Sequence, residues 1–119
     1  MGPYLAEHGY AVFSIDYRLT RDGQNRYPAA VHDVRAGIQW VRSNSADLKI
    51  DPARIALMGD SAGARLSALV ALAGDSPDYT NAYRDDPYAS VSTKVKAVVG
   101  VYGTYVRIPV ILISQSGRS

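Results

Sequence analysis

The chain reads as an α/β protein, a partial sheet of three to four parallel strands with flanking helices. Three observations predict this. Apolar runs of strand length at residues 10–16, 54–58 and 95–102 alternate with helix-like segments. The first run, Tyr-Ala-Val-Phe-Ser-Ile-Asp, is nearly continuous rather than alternating, which suits a strand covered on both faces. A Gly-Asp-Ser-Ala-Gly turn at 59–63 joins the second run to a small-residue helix.

Residues 3–8 look like the last turns of a helix, and Gly9 is a good stop for it. The strand at 10–16 follows, then a polar loop at 20–26 that carries Gly23 and Asn25. Pro28 suits the first turn of the next helix. Val31, Val34, Ile38 and Val41 are spaced by three, four and three residues, which gives that helix one apolar stripe. Trp40 reads as packing on the same helix. Asp51-Pro52 marks the turn into the strand at 54–58. Beyond the glycine turn, residues 64–73 lack Pro and Gly, and Ala64, Ser67 and Ala68 keep the helix slim enough to lie close on a sheet. Residues 74–92 form a polar loop with three tyrosines, 95–102 a further strand ended by Gly103, and 109–114 a fourth strand. Right-handed crossovers would bring the ends of the first three strands to one edge of the sheet. Tyr17, Ser61 and Tyr102 follow those ends, where open parallel sheets bind ligands.

Composition narrows the function classes. The 119 residues are 47% hydrophobic with a net charge of +2, as expected of a globular chain of at most one domain. Lys and Arg are scattered, so neither nucleic acid nor an anionic membrane is expected as a partner. Cysteine is absent, which excludes disulfides and thiolate metal sites. No apolar stretch approaches the roughly 20 residues of a membrane span. Residues 1–9 lack the basic start and long apolar centre of a secretory signal, which leans toward the cytoplasm.

The turn at 59–63 carries the chemistry. Gly59-Asp60-Ser61-Ala62-Gly63 matches G-x-S-x-G, a pattern that is weak alone but informative between a strand and a helix. A nucleophile at such a turn sits in a strained backbone conformation, so positions two residues to either side must lack bulk. Gly59 and Gly63 meet that demand. The same glycines could serve a phosphate-binding or purely structural turn; the strand before and the helix after favour the nucleophile.

Several linked segments then resemble the α/β-hydrolase esterases, closest to the hormone-sensitive-lipase-like carboxylesterases and their feruloyl- and acetyl-esterase-like relatives. They are Asp16-Tyr17-Arg18-Leu19, Tyr27-Pro28-Ala29-Ala30-Val31-His32-Asp33-Val34, Ile38-Gln39-Trp40-Val41, Ile50-Asp51-Pro52-Ala53-Arg54-Ile55, the glycine turn, and Val95-Lys96-Ala97-Val98-Val99 with Tyr102-Gly103. The resemblance covers roughly residues 3–105 and leaves 106–119 atypical. It implies a partial α/β-hydrolase fold over 1–119 and a serine ester hydrolase acting on small-molecule esters, with no metal and no organic cofactor.

By the same resemblance Ser61 maps onto the nucleophile and the backbone N–H of Ala62 onto one oxyanion donor. Asp60, Tyr17 and Tyr102 map to the active edge. The family's His-Gly-Gly-Gly loop has no counterpart here, Val106 stands where an Asp is common, and Ala64-Arg65 replaces a frequent Gly-His pair. The acid and base should follow the elbow in the order Asp, His, yet His8 and His32 both precede Ser61. The two histidines therefore read as structural, and Asp75, Asp78, Asp85 and Asp86 as a solvated loop. Tyr79, Tyr83 and Tyr88 either line a pocket or belong to an ordinary loop. The expectation is the middle of a larger hydrolase, inactive alone and self-associating through open sheet edges. The alternative is a non-catalytic remnant or a partner-binding piece.

Overall fold

A computed structural model describes residues 2–18, 23, 27–60, 62–101 and 110–116. Along the chain these form α1 (Gly2–Glu7), β1 (Tyr10–Ile15), α2 (Ala29–Ser43), α3 (Ser45–Leu48), β2 (Ile50–Asp60), α4 (Ala62–Ala73), α5 (Pro77–Thr80), β3 (Ala97–Val101) and β4 (Val110–Ser116). The four strands make one sheet in the order β1-β4-β2-β3.

The α/β class holds. β2 and β3 pair in parallel, with Leu57 opposite Val98 and Asp60 opposite Val101. β1 and β2 both lie antiparallel to β4, so β1, β2 and β3 share one direction and end at one edge. The fourth strand corrects the expectation of a further parallel strand. β4 runs the opposite way and fills the place between β1 and β2, with Phe13 and Leu57 both opposite Leu112. The crossover through α2 leaves that place vacant, and a strand of either direction satisfies the hydrogen-bonding edges of both neighbours. The second strand is also longer than expected: it begins at Ile50, and its pairing with β4 shifts register between Ile50 and Ile55.

The core lies between the sheet and the helices α2 and α4. Val31, Val34, Ile38 and Val41, the stripe read from the sequence, are all buried on α2. They meet Ile55 and Leu57 of β2 and Val70 of α4, with Ala11, Phe13 and Ile15 of β1 packed against the cluster. Along β2, Ile55, Leu57 and Gly59 are buried while Ala56, Met58 and Asp60 are half-buried, the period-two signature of one covered face. Trp40 departs from its expected packing role, being 46% exposed. It lies two residues from Ile38, about 200° around the helix, so it cannot share the buried stripe.

The segment at 74–92 is more ordered than a solvated loop. Ser76 precedes Pro77 at the start of α5, and Tyr79 within it is buried. Buried Arg35 of α2 ties this segment down, its Nε donating to the Gly74 carbonyl at 2.6 Å. Asp75 accepts hydrogen bonds from the Ser92 hydroxyl at 2.7 Å, the Thr93 hydroxyl at 2.7 Å and the Thr93 N–H at 3.0 Å. Arg42 of α2 donates to the carbonyls of Pro52, Ser92 and Lys94, so one guanidinium holds the entries to both β2 and β3.

Candidate active site

The glycine turn sits where β2 passes into α4. Gly59 and Asp60 close the strand, and Ala62 and Gly63 open the helix. A Cβ built on Gly59 would collide with the Gly63 carbonyl group and lie 2.8 Å from the Ala64 nitrogen. The obstacle is backbone, which cannot rotate aside as a flexible side chain can. The turn therefore folds back on itself so tightly that residue 59 has no room for any side chain. Ser61 and Tyr102 lie outside the described residues.

Beside the turn is a cavity of about 310 Å³. Ala62, Leu66 and Leu69 of α4 form one wall, at the spacing that puts residues on one helix face. Val31 of α2 and the rings of Tyr17 and Tyr27 form the other. Of the residues read as the active edge, Tyr17 thus shares a cavity with Ala62, and burial raises its phenol above the ordinary value. Asp60 is half-buried, and its Oδ1 is buried with no hydrogen-bond partner among the described residues.

Two interactions fix the Tyr17 and Tyr27 walls. The Arg18 N–H donates to Asp33 Oδ2 at 2.7 Å, and its guanidinium Nε adds a bond to the same oxygen at 2.9 Å. This pins the end of β1 to α2, and the Asp33 bond raises the Arg18 pKa further. The Tyr27 and Tyr79 hydroxyls hydrogen-bond to each other. That bond, with burial, pushes the Tyr79 phenol up to about 12. Sequence reasoning missed Tyr27, Leu66 and Leu69 as cavity lining. The i, i+3/i+4, i+7 relation of Ala62, Leu66 and Leu69 was the signal that could have found the helical wall.

His32 belongs to a second cavity, of about 230 Å³, with Arg18, Asp33, Arg35, Gln39 and Tyr83. Its ring meets those of Tyr79 and Tyr83 edge-on, and its Nδ1 is buried with no hydrogen-bond partner among the described residues. Burial, then the charges of Arg35 and Arg18, lower its pKa below 6.5, so the imidazole is neutral at pH 7. Asp75 is engaged with Ser92 and Thr93, as described above. Among the described residues no cluster of His, Asp and Glu could hold a metal ion, and no helix is long and apolar enough to cross a membrane.

A family model named BD-FAE matches residues 1–108. Esterase LipC of Mycobacterium tuberculosis is 41% identical over 101 residues, which are 85% of this chain and 24% of the relative. Esterase LipQ of the same organism is 37% identical over 85% of this chain and 22% of the relative. An arylesterase of Saccharolobus solfataricus is 43% identical over 51% of this chain and 19% of the relative. The chain thus spans about a quarter of the length of the esterases it matches. No solved structure matches. With the family model aligned to nine-tenths of this chain, the chain belongs to BD-FAE, an α/β-hydrolase esterase family.

Proposed function

We propose that the chain carries the nucleophile-bearing part of a serine carboxylic ester hydrolase. The observation that carries this reading is the junction of β2 and α4, where residue 59 has no space for a side chain and Ala62 opens onto an apolar cavity. Ser61 attacks the ester carbonyl, and a general base takes the hydroxyl proton. The Ala62 N–H, one of the unpaired donors at the start of α4, stabilises the oxyanion of the tetrahedral intermediate. Collapse expels the alcohol and leaves an acyl-enzyme on Ser61, which water then cleaves. Gly59 and Gly63 permit the turn. Asp60, Tyr17 and Tyr102 organise the edge on which the substrate lies. The partner is a small-molecule ester, and the outer edge of β3 favours further copies of the chain. Sedimentation of the purified chain as a lone monomer would count against that association.

The test joins this chain to a family front segment bearing the Gly-rich oxyanion loop and to a family tail bearing the Asp and His. The chimera should hydrolyse short acyl esters, and Ser61→Ala should lower the rate by about a million-fold. A folded chimera whose Ser61→Ala variant keeps full activity would overturn the assignment.

A second reading, a non-catalytic hydrolase remnant or partner-binding piece, is favoured by the position of His8 and His32, both ahead of Ser61. Ester hydrolysis by the 119-residue chain separates the two. Turnover near background, unaffected by His32→Ala, fits the second reading for the chain alone. Turnover abolished by His32→Ala would make His32 the base.

A further inference from the structure

We propose that the cavity beside Ala62 selects esters that carry a carboxylate near the scissile bond, and that Arg65 is the residue that reads it. The inference takes from the proposed function only the position of the reacting carbonyl, at the Ala62 N–H.

Arg65 lines the same cavity as Ala62, Leu66 and Leu69, one turn further along α4. Its side chain is exposed, and among the described residues it has no hydrogen-bond or ion-pair partner. It differs in this from Arg18, Arg35, Arg42, Arg54 and Arg84, each of which has one. A free guanidinium at the rim of an apolar cavity offers parallel donors that match a carboxylate in geometry and charge. From Ala62 to Arg65 the helix rises about 4.5 Å. A carbonyl held at the start of α4 therefore leaves a carboxylate on a two-carbon spacer within the reach of Arg65. The remaining arm of such an ester is apolar and fits against Leu66, Leu69, Val31 and the Tyr17 and Tyr27 rings. The structure thus favours half-esters of short dicarboxylic acids over neutral esters of the same length.

Binding to the 119-residue chain tests this without turnover. The probes are monohexyl succinate and its neutral analogue, hexyl methyl succinate, titrated at pH 7 and low salt by calorimetry or amide chemical shifts. Both should bind, the monoanion about five-fold more tightly, as for one good exposed ion pair. Arg65→Gln, at an exposed site, should bring the monoanion to the affinity of the neutral ester and leave the neutral ester unchanged. Arg65→Lys should keep part of the preference, and raised salt should erase it. Equal affinity in the native chain, a preference that survives Arg65→Gln, or binding of neither probe would overturn the proposal. The outcome is independent of Ser61: loss of Ser61-dependent turnover in the chimera leaves this discrimination intact, and loss of the discrimination leaves the nucleophile assignment intact.

Discussion

Leu57 and Val98 are direct neighbours on paired parallel strands, yet one is fully buried and the other 37% exposed. β2 lies beneath α4, and its buried Ile55 and Leu57 share one core with Val34 and Ile38 of α2 and Val70 of α4. β3 contacts α4 and β2 at the end of the sheet, and its residues 97–100 are all exposed. The same residue classes in the same kind of strand therefore do different work. In β2 they form the core that aims the turn at 59–63, whereas in β3 they pair one edge of that strand and present the other outward. Stability and the candidate site are concentrated in the α2–β2–α4 layer.

Substitution at the two neighbours breaks the comparison most directly. Leu57→Ala should cost about 3 kcal/mol, in the range for a fully buried leucine. Val98→Ala should cost under about 1 kcal/mol, because much of its surface is already in water. Equal shifts in the denaturation midpoint would show that β3 is as well covered as β2.

At the turn itself, Gly59→Ala should cost about 2 kcal/mol, since its Cβ meets backbone that must shift. In the chimera the same change should lower kcat more than it weakens binding, because the displaced group is the Gly63–Ala64 backbone beside Ala62, the proposed oxyanion donor. A Gly59→Ala chimera with native kcat would contradict the close-packed turn.

Acid should sharpen the contrast in two steps. His32 has a folded pKa below its ordinary 6.5, so the unfolded chain binds the proton more readily. Its contribution is full above pH 6.5 and is lost as the pH falls through the folded value. For Asp75, burial works upward, but the hydrogen bonds from Thr93 and Ser92 and the charge of Arg35 outweigh it and hold the carboxyl below 3.8. Its contribution is full above pH 3.8 and is lost below that, as the carboxylate takes up a proton. His32→Asn should flatten the upper step in a stability–pH profile and leave the lower one. An unchanged slope between pH 7 and 5 in that variant would exclude His32 as its source.

Much of the covered layer was legible in the sequence, because its period follows from burial on one side. The stripe at Val31, Val34, Ile38 and Val41 and the strand run at 54–58 are direct consequences of α2 and β2 each turning one side to the same core. The direction of β4 was not legible, since an apolar run at 109–114 carries the same hydrophobic pattern read either way; only the vacancy between β1 and β2 decides its partners. The burial of Tyr79 in the core was not legible because its neighbours are polar, although Ser76-Pro77-Asp78 is a helix-start signature. Of the candidate site, the Gly59 constraint could be read from spacing alone. The Tyr17–Tyr27 wall could not, because it depends on Arg18 meeting Asp33 and on two hydroxyls 52 residues apart.

The central claim, that residue 61 is the nucleophile, is tested most directly by its chemistry rather than by turnover. The chimera is treated with a fluorophosphonate, digested, and the modified peptide mapped by mass spectrometry. A single adduct on Ser61, absent from Ser61→Ala and from heat-unfolded protein, is the result this account predicts. An adduct on another residue, or one that forms equally in the unfolded chain, would contradict it.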